Sequence, residues 1–282
     1  MATYNQLIHQ YSKAFFEKGL SGNTLKAFIF ELCNEENVDL YLELDHEAKN
    51  SIEERYHDGV KRMLNNEPMN YVLGYTYFFG YKILVNEDVL IPRYETEELI
   101  GLILSKYDEH FKDKQIDLCD VGTGSGAIAI SLKKEESNIN VYASDISEKA
   151  IDVAKKNSEL NNADIEFMVG SMLQPYIDNN IKVDILVSNP PYIKDDEVLE
   201  ESVKDYEPHV ALFGGQDGLK FYRMIFENAK KVLKDKAMMF FEMGYDQKEN
   251  LTSLALSYFP NAKVEVFKDI NGKNRMLMID LL

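Results

Sequence analysis

Cysteine and long apolar runs are scarce in this sequence of 282 residues, and basic side chains are fewer than acidic ones. Only Cys33 and Cys119 are present, so there is no zinc-ligand spacing and no disulfide framework, a pattern that favours a reducing cytosol. We therefore predict no metal site. No stretch reaches the roughly 20 apolar residues that a membrane span needs, and residues 1–10 lack a basic region followed by an apolar core. We expect a cytoplasmic protein with no membrane partner.

The excess of acidic over basic side chains gives the chain a strongly negative balance. It carries 31 basic and 48 acidic residues, and its formal net charge is −17 at pH 7. A protein that grips a phosphate backbone normally has a basic footprint, because the release of counterions from the phosphates supplies much of the affinity. This chain repels polyanions on average. We expect no direct binding of nucleic acid.

Two kinds of pattern divide the N-terminal part of the chain. Apolar residues recur at helical spacing from Leu25 to Leu32 and again from Ile52 to Leu64. From residue 71 to residue 92 the sequence is instead aromatic and β-branched with glycine punctuation, which is typical of a hairpin. We predict an N-terminal helical domain over residues 1–70 and a β-hairpin linker over residues 71–92.

Residues 93–282 alternate between strand and helix patterns, which predicts an α/β domain with helices on both faces of a parallel sheet. The predicted strands are 116–121, 139–144, 165–169, 183–188, 237–243, 263–268 and 275–281, and the predicted helices are 96–106, 126–134, 148–160, 219–234 and 246–258. Only a turn containing Asn271-Gly272 joins the last two strands, so these two must be antiparallel. We predict a Rossmann-like sheet of seven strands, six parallel and the last antiparallel.

A glycine-rich loop follows the first predicted strand of this domain. In Gly122-Thr123-Gly124-Ser125-Gly126, the glycines allow close approach of a ligand to the backbone, and the next helix offers free amides to a carboxylate. Asp145 ends the second strand. Its spacing along the sequence from the glycine loop is close to the one at which an acidic residue binds ribose hydroxyls in nucleotide-binding folds. The G-x-G-x-G spacing is one residue shorter than the dinucleotide fingerprint, which argues against NAD.

The glycine loop and the reversed last strand resemble those of Rossmann-like methyltransferases that use S-adenosyl-L-methionine. This resemblance implies a methyltransferase domain over residues 93–282 with that molecule as its cofactor. The loop from Gly122 to Gly126 would surround the methionyl part of the cofactor, and Asp145 would hold the ribose. The resemblance implies adenine contacts at Ser171 and Met172, after the third strand.

The fourth predicted strand ends in Asn189-Pro190-Pro191-Tyr192. Two prolines remove backbone donors and therefore favour a rigid loop at the sheet edge where ligands bind in open α/β folds. The lone pair of an amide or exocyclic amine nitrogen is delocalised, so the Asn189 side-chain oxygen and the Pro190 carbonyl are suited to hold its NH₂ protons. Tyr192 can stack on the planar group. We predict catalytic roles for Asn189, Pro190 and Tyr192, substrate contacts along all four residues, and a cofactor contact at Asn189.

This tetrapeptide resembles that of methyltransferases acting on adenine N6 of nucleic acids and of those acting on protein glutamine, and by itself it does not choose between them. A larger set of motifs resembles the HemK-type release factor glutamine methyltransferases. These motifs are Asn66-Glu67-Pro68, Tyr71-Val72-Leu73-Gly74, Phe79-Gly80, Ile91-Pro92-Arg93-Tyr94-Glu95-Thr96-Glu97, Tyr206-Glu207-Pro208-His209-Val210-Ala211-Leu212, Gly214-Gly215-Gln216-Asp217-Gly218 and Glu242-Met243-Gly244. Tyr94 departs from the proline that is usual after the arginine.

The resemblance implies methyl transfer to the side-chain amide nitrogen (N5) of the glutamine in the Gly-Gly-Gln motif of class I peptide chain release factors. It implies substrate docking by the helical domain, and we predict a substrate contact at Glu242. The acidic segment from Asp195 to Glu207 is a plausible docking surface for a basic translation factor. Two alternatives stay open, a ribosomal protein glutamine and adenine N6 of a nucleic acid.

Overall fold

The computed structural model describes residues 2–282, which form two compact units. The first comprises the residues up to Gly74 together with Glu200–Tyr206, and the second comprises Tyr75–Leu199 and Glu207–Leu282. The helices, in chain order, are α1 (Tyr4–Gln10), α2 (Ser12–Glu17), α3 (Gly22–Glu35), α4 (Leu40–Glu43), α5 (Asn50–Leu64), α6 (Met69–Leu73), α7 (Tyr94–His110), α8 (Ala127–Glu135), α9 (Glu148–Asn161), α10 (Gln174–Asp178), α11 (Glu201–Tyr206), α12 (Lys220–Ala229) and α13 (Lys248–Tyr258). A short 3₁₀ turn covers His209–Ala211.

The first unit is helical, and the apolar residues that recur at helical spacing form its core. The residues from Leu25 to Leu32 that carry the pattern on α3 are buried, and so are Ile52, Tyr56 and Val60 on α5. Ser21 caps α3 by accepting a hydrogen bond from the Asn23 amide at 3.2 Å. The apolar faces of the two helices therefore bury against each other, which supplies most of the favourable energy of a small helical unit.

The second unit is built on a sheet of seven strands. Its seven strands are β3 (Ile116–Val121), β4 (Ile139–Asp145), β5 (Ile165–Val169), β6 (Val183–Ser188), β7 (Leu233–Glu242), β8 (Lys263–Lys268) and β9 (Asn274–Asp280), and two further strands, β1 (Tyr75–Phe78) and β2 (Tyr81–Leu84), precede them in the chain. The sheet order is β5-β4-β3-β6-β7-β9-β8, and β9 is antiparallel to both of its neighbours. Six strands thus run one way and the last runs the other, which confirms the predicted fold class. Helices surround the sheet.

Strand β7 begins earlier than its sequence pattern predicts. The predicted helix 219–234 ends at Ala229, and β7 starts at Leu233 rather than at residue 237. The amide of Val183 donates to the carbonyl of Val232 at 2.9 Å, and Val183 lies opposite Leu233 in the sheet. Burial of Leu233 against Val183 of β6 stabilises the strand more than helix propensity stabilises a longer α12, so the helix ends early.

Strands β1 and β2 form a separate two-stranded hairpin in the second unit. Phe79 and Gly80 both have positive φ, at 50° and 82°, which matches the two-residue turn that right-twisted strands prefer. Residues 71–73, which the sequence pattern assigns to the hairpin region, instead belong to helix α6. That helix begins after Pro68 and ends at Gly74, whose φ of 82° provides a left-handed cap.

Asn157 on α9 fastens β2 to the sheet domain. Its side chain accepts from the Leu84 amide at 2.6 Å and donates to the Leu84 carbonyl and to the Ser125 carbonyl, both at 2.9 Å. Asn157 is fully buried, so no water replaces these bonds when the side chain is removed. One amide group thereby ties β2 to the glycine loop.

We expect Asn157→Ala to lower the free energy of unfolding by about 3 kcal/mol, because it leaves three backbone groups, two partly buried at Leu84 and one buried at Ser125, without this partner. Urea unfolding followed by circular dichroism measures this loss. Asn161→Ala is the matched control, since Asn161 bonds the Lys82 carbonyl at 2.9 Å from a partly exposed position and should cost about 1 kcal/mol. Equal losses in the two variants would contradict the proposed fastening role.

Candidate active site

A cavity of about 350 Å³ lies at the carboxyl ends of β3, β4, β5 and β6 in the second unit. The chain leaves β3 toward β4 and β5 on one side and later returns to β6 on the other, so the cavity sits where the strand order reverses. Ligands of open α/β sheets bind at such a point. The cavity is lined by the glycine loop, by Asp145, by Gly170, Ser171 and Met172, and by Asn189 and Pro191.

The glycine loop keeps its backbone open to this cavity. Gly122, Gly124 and Gly126 have φ values of 75°, 55° and 82°, a region that side chains disfavour. A Cβ at Gly122 or Gly124 would meet no atom within 4 Å, whereas one at Gly126 would lie 3.2 Å from the Ala154 side chain. Two of the glycines therefore serve close approach of a ligand, and Gly126 serves close packing of α8 on α9.

Asp145 ends β4 and faces the loop. One carboxylate oxygen accepts from the Gly124 amide and the other from the Ser147 amide, both at 2.9 Å. Burial raises the pKa of Asp145 above its ordinary value, and the hydrogen bonds from the backbone amides oppose this rise. Each oxygen keeps room for one more hydrogen bond, so the side chain is a fixed acceptor in the cavity wall.

Asp120, the last residue but one of β3, lies directly beside the glycine loop and belongs to none of the sequence motifs. It is fully buried, one oxygen accepts from the Thr123 hydroxyl at 2.6 Å, and the other oxygen has no partner. Burial raises the pKa of Asp120 to about 7. A buried acceptor without a donor, next to the glycine loop, fits a ligand that carries an ammonium group. The methionyl part of S-adenosyl-L-methionine carries one.

Asp120 makes the stability of the protein depend on pH. With an ordinary pKa of 3.8 and a folded pKa of about 7, the folded state holds more protons than the unfolded state between these values. Stability therefore falls as the pH rises from about 4 to about 7, by about 4 kcal/mol for a fully buried group. We expect Asp120→Asn to remove this part of the slope in urea unfolding at a series of pH values. Asp235→Asn, at an exposed position of β7, controls for the change in net charge. Parallel pH curves for Asp120→Asn and the wild type would contradict the assignment.

The far wall of the cavity is apolar and comes partly from α12. Ser171 and Met172 line the cavity as the resemblance implies, with Met172 at a φ of 47°. Phe221 and Met224 line it too, and the sequence analysis missed them. The signal was present, because these two residues are three apart on α12 and lie beside the buried face that carries Tyr222. A flat apolar group such as a nucleobase fits a wall of this kind.

The loop Asn189-Pro190-Pro191-Tyr192 leaves β6 and lies on rigid supports. The Ser188 hydroxyl donates to the Val121 carbonyl at 2.6 Å, which joins the end of β6 to β3. Gln247 donates to the Tyr192 carbonyl at 3.1 Å and accepts from the Gly244 amide at 2.9 Å. Asn189 and Pro191 line the cavity, and Pro190 is buried. The loop therefore has a fixed backbone and presents Asn189 to the cavity.

A hydrogen-bonded chain of side chains connects Asn189 and Tyr192, and one of its members, Thr96, lines the cavity itself. Asn189 donates from its NH₂ to the Thr96 hydroxyl at 3.3 Å, and Thr96 donates to one Glu242 oxygen at 2.5 Å. Tyr192 donates to the other Glu242 oxygen at 3.1 Å. Glu242 is only 2% exposed and does not line the cavity. Its two oxygens are bonded within the protein.

The charges around Glu242 oppose one another. Burial raises the pKa of Glu242, while the hydroxyls of Thr96 and Tyr192 and the nearby Arg275 guanidinium lower it. Burial and the Glu242 charge raise the pKa of Tyr192, so its hydroxyl keeps its proton. Arg275 in turn bonds the buried Asp269 at 3.3 Å.

Arg93, at another side of the cavity, forms an ion pair with the buried Glu207. Arg93 lines the cavity and pairs with Glu207 at 2.5 Å, and only 1% of the Glu207 side chain is exposed. Glu207 is therefore not available to the predicted acidic docking surface. The acidic residues from Asp195 to Asp205 are exposed. The pair fixes Glu207, near the middle of the long segment 193–218, against the start of α7.

Neither a cluster of metal ligands nor a membrane-spanning helix occurs in the part of the chain that the structure describes. Residues 2–282 contain no group of three or more His, Cys, Asp or Glu side chains that could hold a metal ion. Within the same residues, none of the helices combines the length and the apolar character that crossing a membrane requires.

Comparison with known proteins decides the family. A family model described as Methyltransferase small domain matches residues 101–206. The release factor glutamine methyltransferase of Bacillus cereus is 39% identical to this chain over 267 residues, which cover 94% of each chain. The chain belongs to the release factor glutamine methyltransferase family. Its relative from Bacillus subtilis is 46% identical over 213 residues, which cover 74% of each chain.

Family membership confirms the resemblance drawn from the motifs and makes the protein a methyltransferase whose methyl donor is S-adenosyl-L-methionine. The fold agrees. The solved METTL16 MTase domain superposes with a TM-score of 0.54 at 19% sequence identity, over 72% of this chain and 75% of that one. A likeness at this identity concerns the fold of the sheet and its helices alone.

Proposed function

We propose that this enzyme transfers a methyl group from S-adenosyl-L-methionine to the side-chain amide nitrogen of the glutamine in the Gly-Gly-Gln motif of class I peptide chain release factors. The observation that carries the proposal is the orientation of Asn189. Its NH₂ is bonded to Thr96, so its oxygen remains as an acceptor at a cavity wall made by a rigid Asn-Pro-Pro-Tyr loop. The names of the curated relatives support the same substrate.

The chain's own residues supply binding and position. The bound cofactor would supply a sulfonium methyl that is already electrophilic. The glycine loop, with open space at Gly122 and Gly124, would hold the cofactor together with the unpartnered oxygen of Asp120 and the carboxylate of Asp145. Ser171, Met172, Phe221 and Met224 would border its adenine.

The acceptor amide would be held by two acceptors and one ring. The Asn189 oxygen and the Pro190 carbonyl would take its two NH₂ protons, and Tyr192 would stack on its plane. These bonds hold the nitrogen in line with the methyl group and favour the geometry that localises its lone pair. The NH₂ nitrogen is neutral, so no buried base is needed before the attack. The nitrogen would bond to the methyl carbon as the bond from that carbon to sulfur breaks, and it would release one proton afterwards.

We propose further that the helical residues 1–70 dock the substrate, with residues 71–92 as a linker and residues 93–282 as the methyltransferase domain. The exposed acids from Asp195 to Asp205 and the net charge of −17 support docking of a basic partner. Release factors act in the cytoplasm, which is where we place the reaction.

The test is incubation with labelled cofactor and a purified class I release factor, followed by mass mapping of the labelled peptide. Label on the glutamine that follows two glycines supports the proposal, and it should vanish when that glutamine is replaced by alanine. Ribosomal proteins, DNA and RNA are offered in parallel. Label on one of these but not on the release factor would contradict it, and so would tight nucleic acid binding with a steep salt dependence.

A further inference from the structure

The side chain of Asn189 serves the proposed reaction in only one of its two orientations. An asparagine amide has an oxygen that accepts and an NH₂ that donates, and a rotation of 180° exchanges them. The acceptor glutamine brings NH₂ protons, so only the oxygen of Asn189 can bind it. With the NH₂ turned to the cavity, two donors would face each other and the bond would be lost.

Thr96 supplies what the orientation requires. A threonine hydroxyl has one proton, and the proton of Thr96 is given to Glu242 in a bond of 2.5 Å. The Thr96 oxygen then faces Asn189 at 3.3 Å with only lone pairs to offer. It therefore accepts a hydrogen bond from the Asn189 NH₂ and repels the Asn189 oxygen. The Asn189 oxygen consequently points away from Thr96.

Glu242 fixes the direction of this chain of bonds. Its two oxygens are both acceptors, one for the Thr96 hydroxyl proton and the other for the Tyr192 hydroxyl proton. Thr96 is 4% exposed and Glu242 is 2% exposed, so water does not compete for either bond. One buried carboxylate thereby sets the direction of both polar side chains of the Asn-Pro-Pro-Tyr loop.

We propose that Thr96, with Glu242 behind it, is a positioning residue that holds the Asn189 amide with its oxygen toward the acceptor nitrogen. This inference rests on the proposed function and adds residues to which neither the family model nor the names of the relatives assign a role. Thr96 acts through Asn189. Glu242, for which the sequence analysis predicts a substrate contact, acts through Thr96 and Tyr192.

The experiment compares Thr96→Val with Thr96→Ser in the release factor assay. Valine keeps the shape and removes the hydroxyl, and we expect kcat to fall about 100-fold, as displaced reacting groups do. The dissociation constant of the cofactor should change less than about threefold, because the bonds of Asp145 to the loop are untouched. Serine keeps the hydroxyl and should restore kcat to within about fivefold of the wild type.

Thr252→Val on α13 is the matched control, because it makes the same exchange at a half-buried position away from the cavity. Its kcat should equal that of the wild type. A Thr96→Val enzyme with wild-type kcat would overturn the inference, and so would a Thr96→Ser enzyme as slow as Thr96→Val. If the wild-type enzyme itself leaves the release factor unlabelled, the proposed function fails rather than the positioning role alone.

Glu242→Gln provides a second arm should Thr96→Val fail to fold. The exchange removes a buried charge and keeps the volume, so folding is expected to survive. Glutamine has one oxygen and therefore serves only one of the two hydroxyls that Glu242 accepts. We expect kcat to fall at least about tenfold with the melting temperature maintained. A kcat equal to that of the wild type would overturn the inference.

Discussion

Asn189→Ala should lower kcat by about 1,000-fold, the largest loss that we expect from a single side chain. The exchange removes the acceptor that the proposed reaction aims at the glutamine NH₂, and losses of this size follow the removal of one preorganised hydrogen-bonding group from an active site. The cofactor keeps the glycine loop and Asp145, so its dissociation constant should rise no more than a few fold. Single-turnover methyl transfer and calorimetric titration of the cofactor measure the two quantities.

Asn228→Ala is the matched control for Asn189→Ala. Its side chain bonds a carbonyl of its own helix, at Met224, from a half-buried position on α12. The same atoms are deleted outside the Asn-Pro-Pro-Tyr loop, and turnover should be unchanged. An Asn189→Ala enzyme that retains even a tenth of wild-type turnover would show that Pro190 and Tyr192 position the acceptor without it.

Much of the fold could be predicted from the sequence because the signals are local. Alternating strand and helix patterns specify the parallel sheet, and the short turn at Asn271-Gly272 specifies the reversal of β9. The misplaced boundaries have a different origin. Leu233 joins β7 because it lies opposite Val183, 50 residues away, and residues 71–73 stay helical because Pro68 and Gly74 bound a short helix. Such contacts and caps outweigh the local pattern.

The cavity also combines features set by local sequence with features set by contacts between distant residues. The loops that line it follow directly from strand ends, so the glycine loop, Asp145 and Asn189 could be located from motifs alone. Thr96 could not, because its bond to Glu242 joins residues 146 positions apart. The chemistry of Asp120 also depends on burial, which leaves one oxygen without a partner and is a property of the folded state.

The distribution of charge could be predicted only in part from the sequence. The count of −17 is a property of composition, and it favours a protein partner over a polyanion. It does not say which acids reach the surface. Glu207 belongs by sequence to an acidic segment, but it is buried against Arg93, so it stabilises the cavity wall instead of meeting a partner.

Gly214→Ala should be the second most damaging exchange, although Gly214 lies outside the tetrapeptide. A Cβ at this position would lie 2.5 Å from the Pro191 carbonyl oxygen and 2.9 Å from the Tyr192 Cα. The neighbouring atoms are backbone, and the Gly214 amide is itself bonded to the Ile193 carbonyl at 2.7 Å, so neither side yields without moving the loop. We expect a loss of about 2 kcal/mol in stability and about 100-fold in kcat, since small displacements of reacting groups have effects of that size.

Gly101→Ala separates this steric effect from the general effect of replacing glycine. Gly101 is exposed on α7, and a Cβ there would meet nothing within 4 Å. Alanine favours a helix over glycine, so this variant should gain up to about 1 kcal/mol in stability and keep full activity. If Gly214→Ala unfolds at the wild-type urea concentration and retains wild-type kcat, the loop at Pro191 and Tyr192 tolerates displacement. The rigidity of that loop would then have no part in methyl transfer. Loss of kcat with cofactor affinity retained would instead locate the damage in the positioning of the acceptor, because the glycine loop and Asp145 lie on other strands.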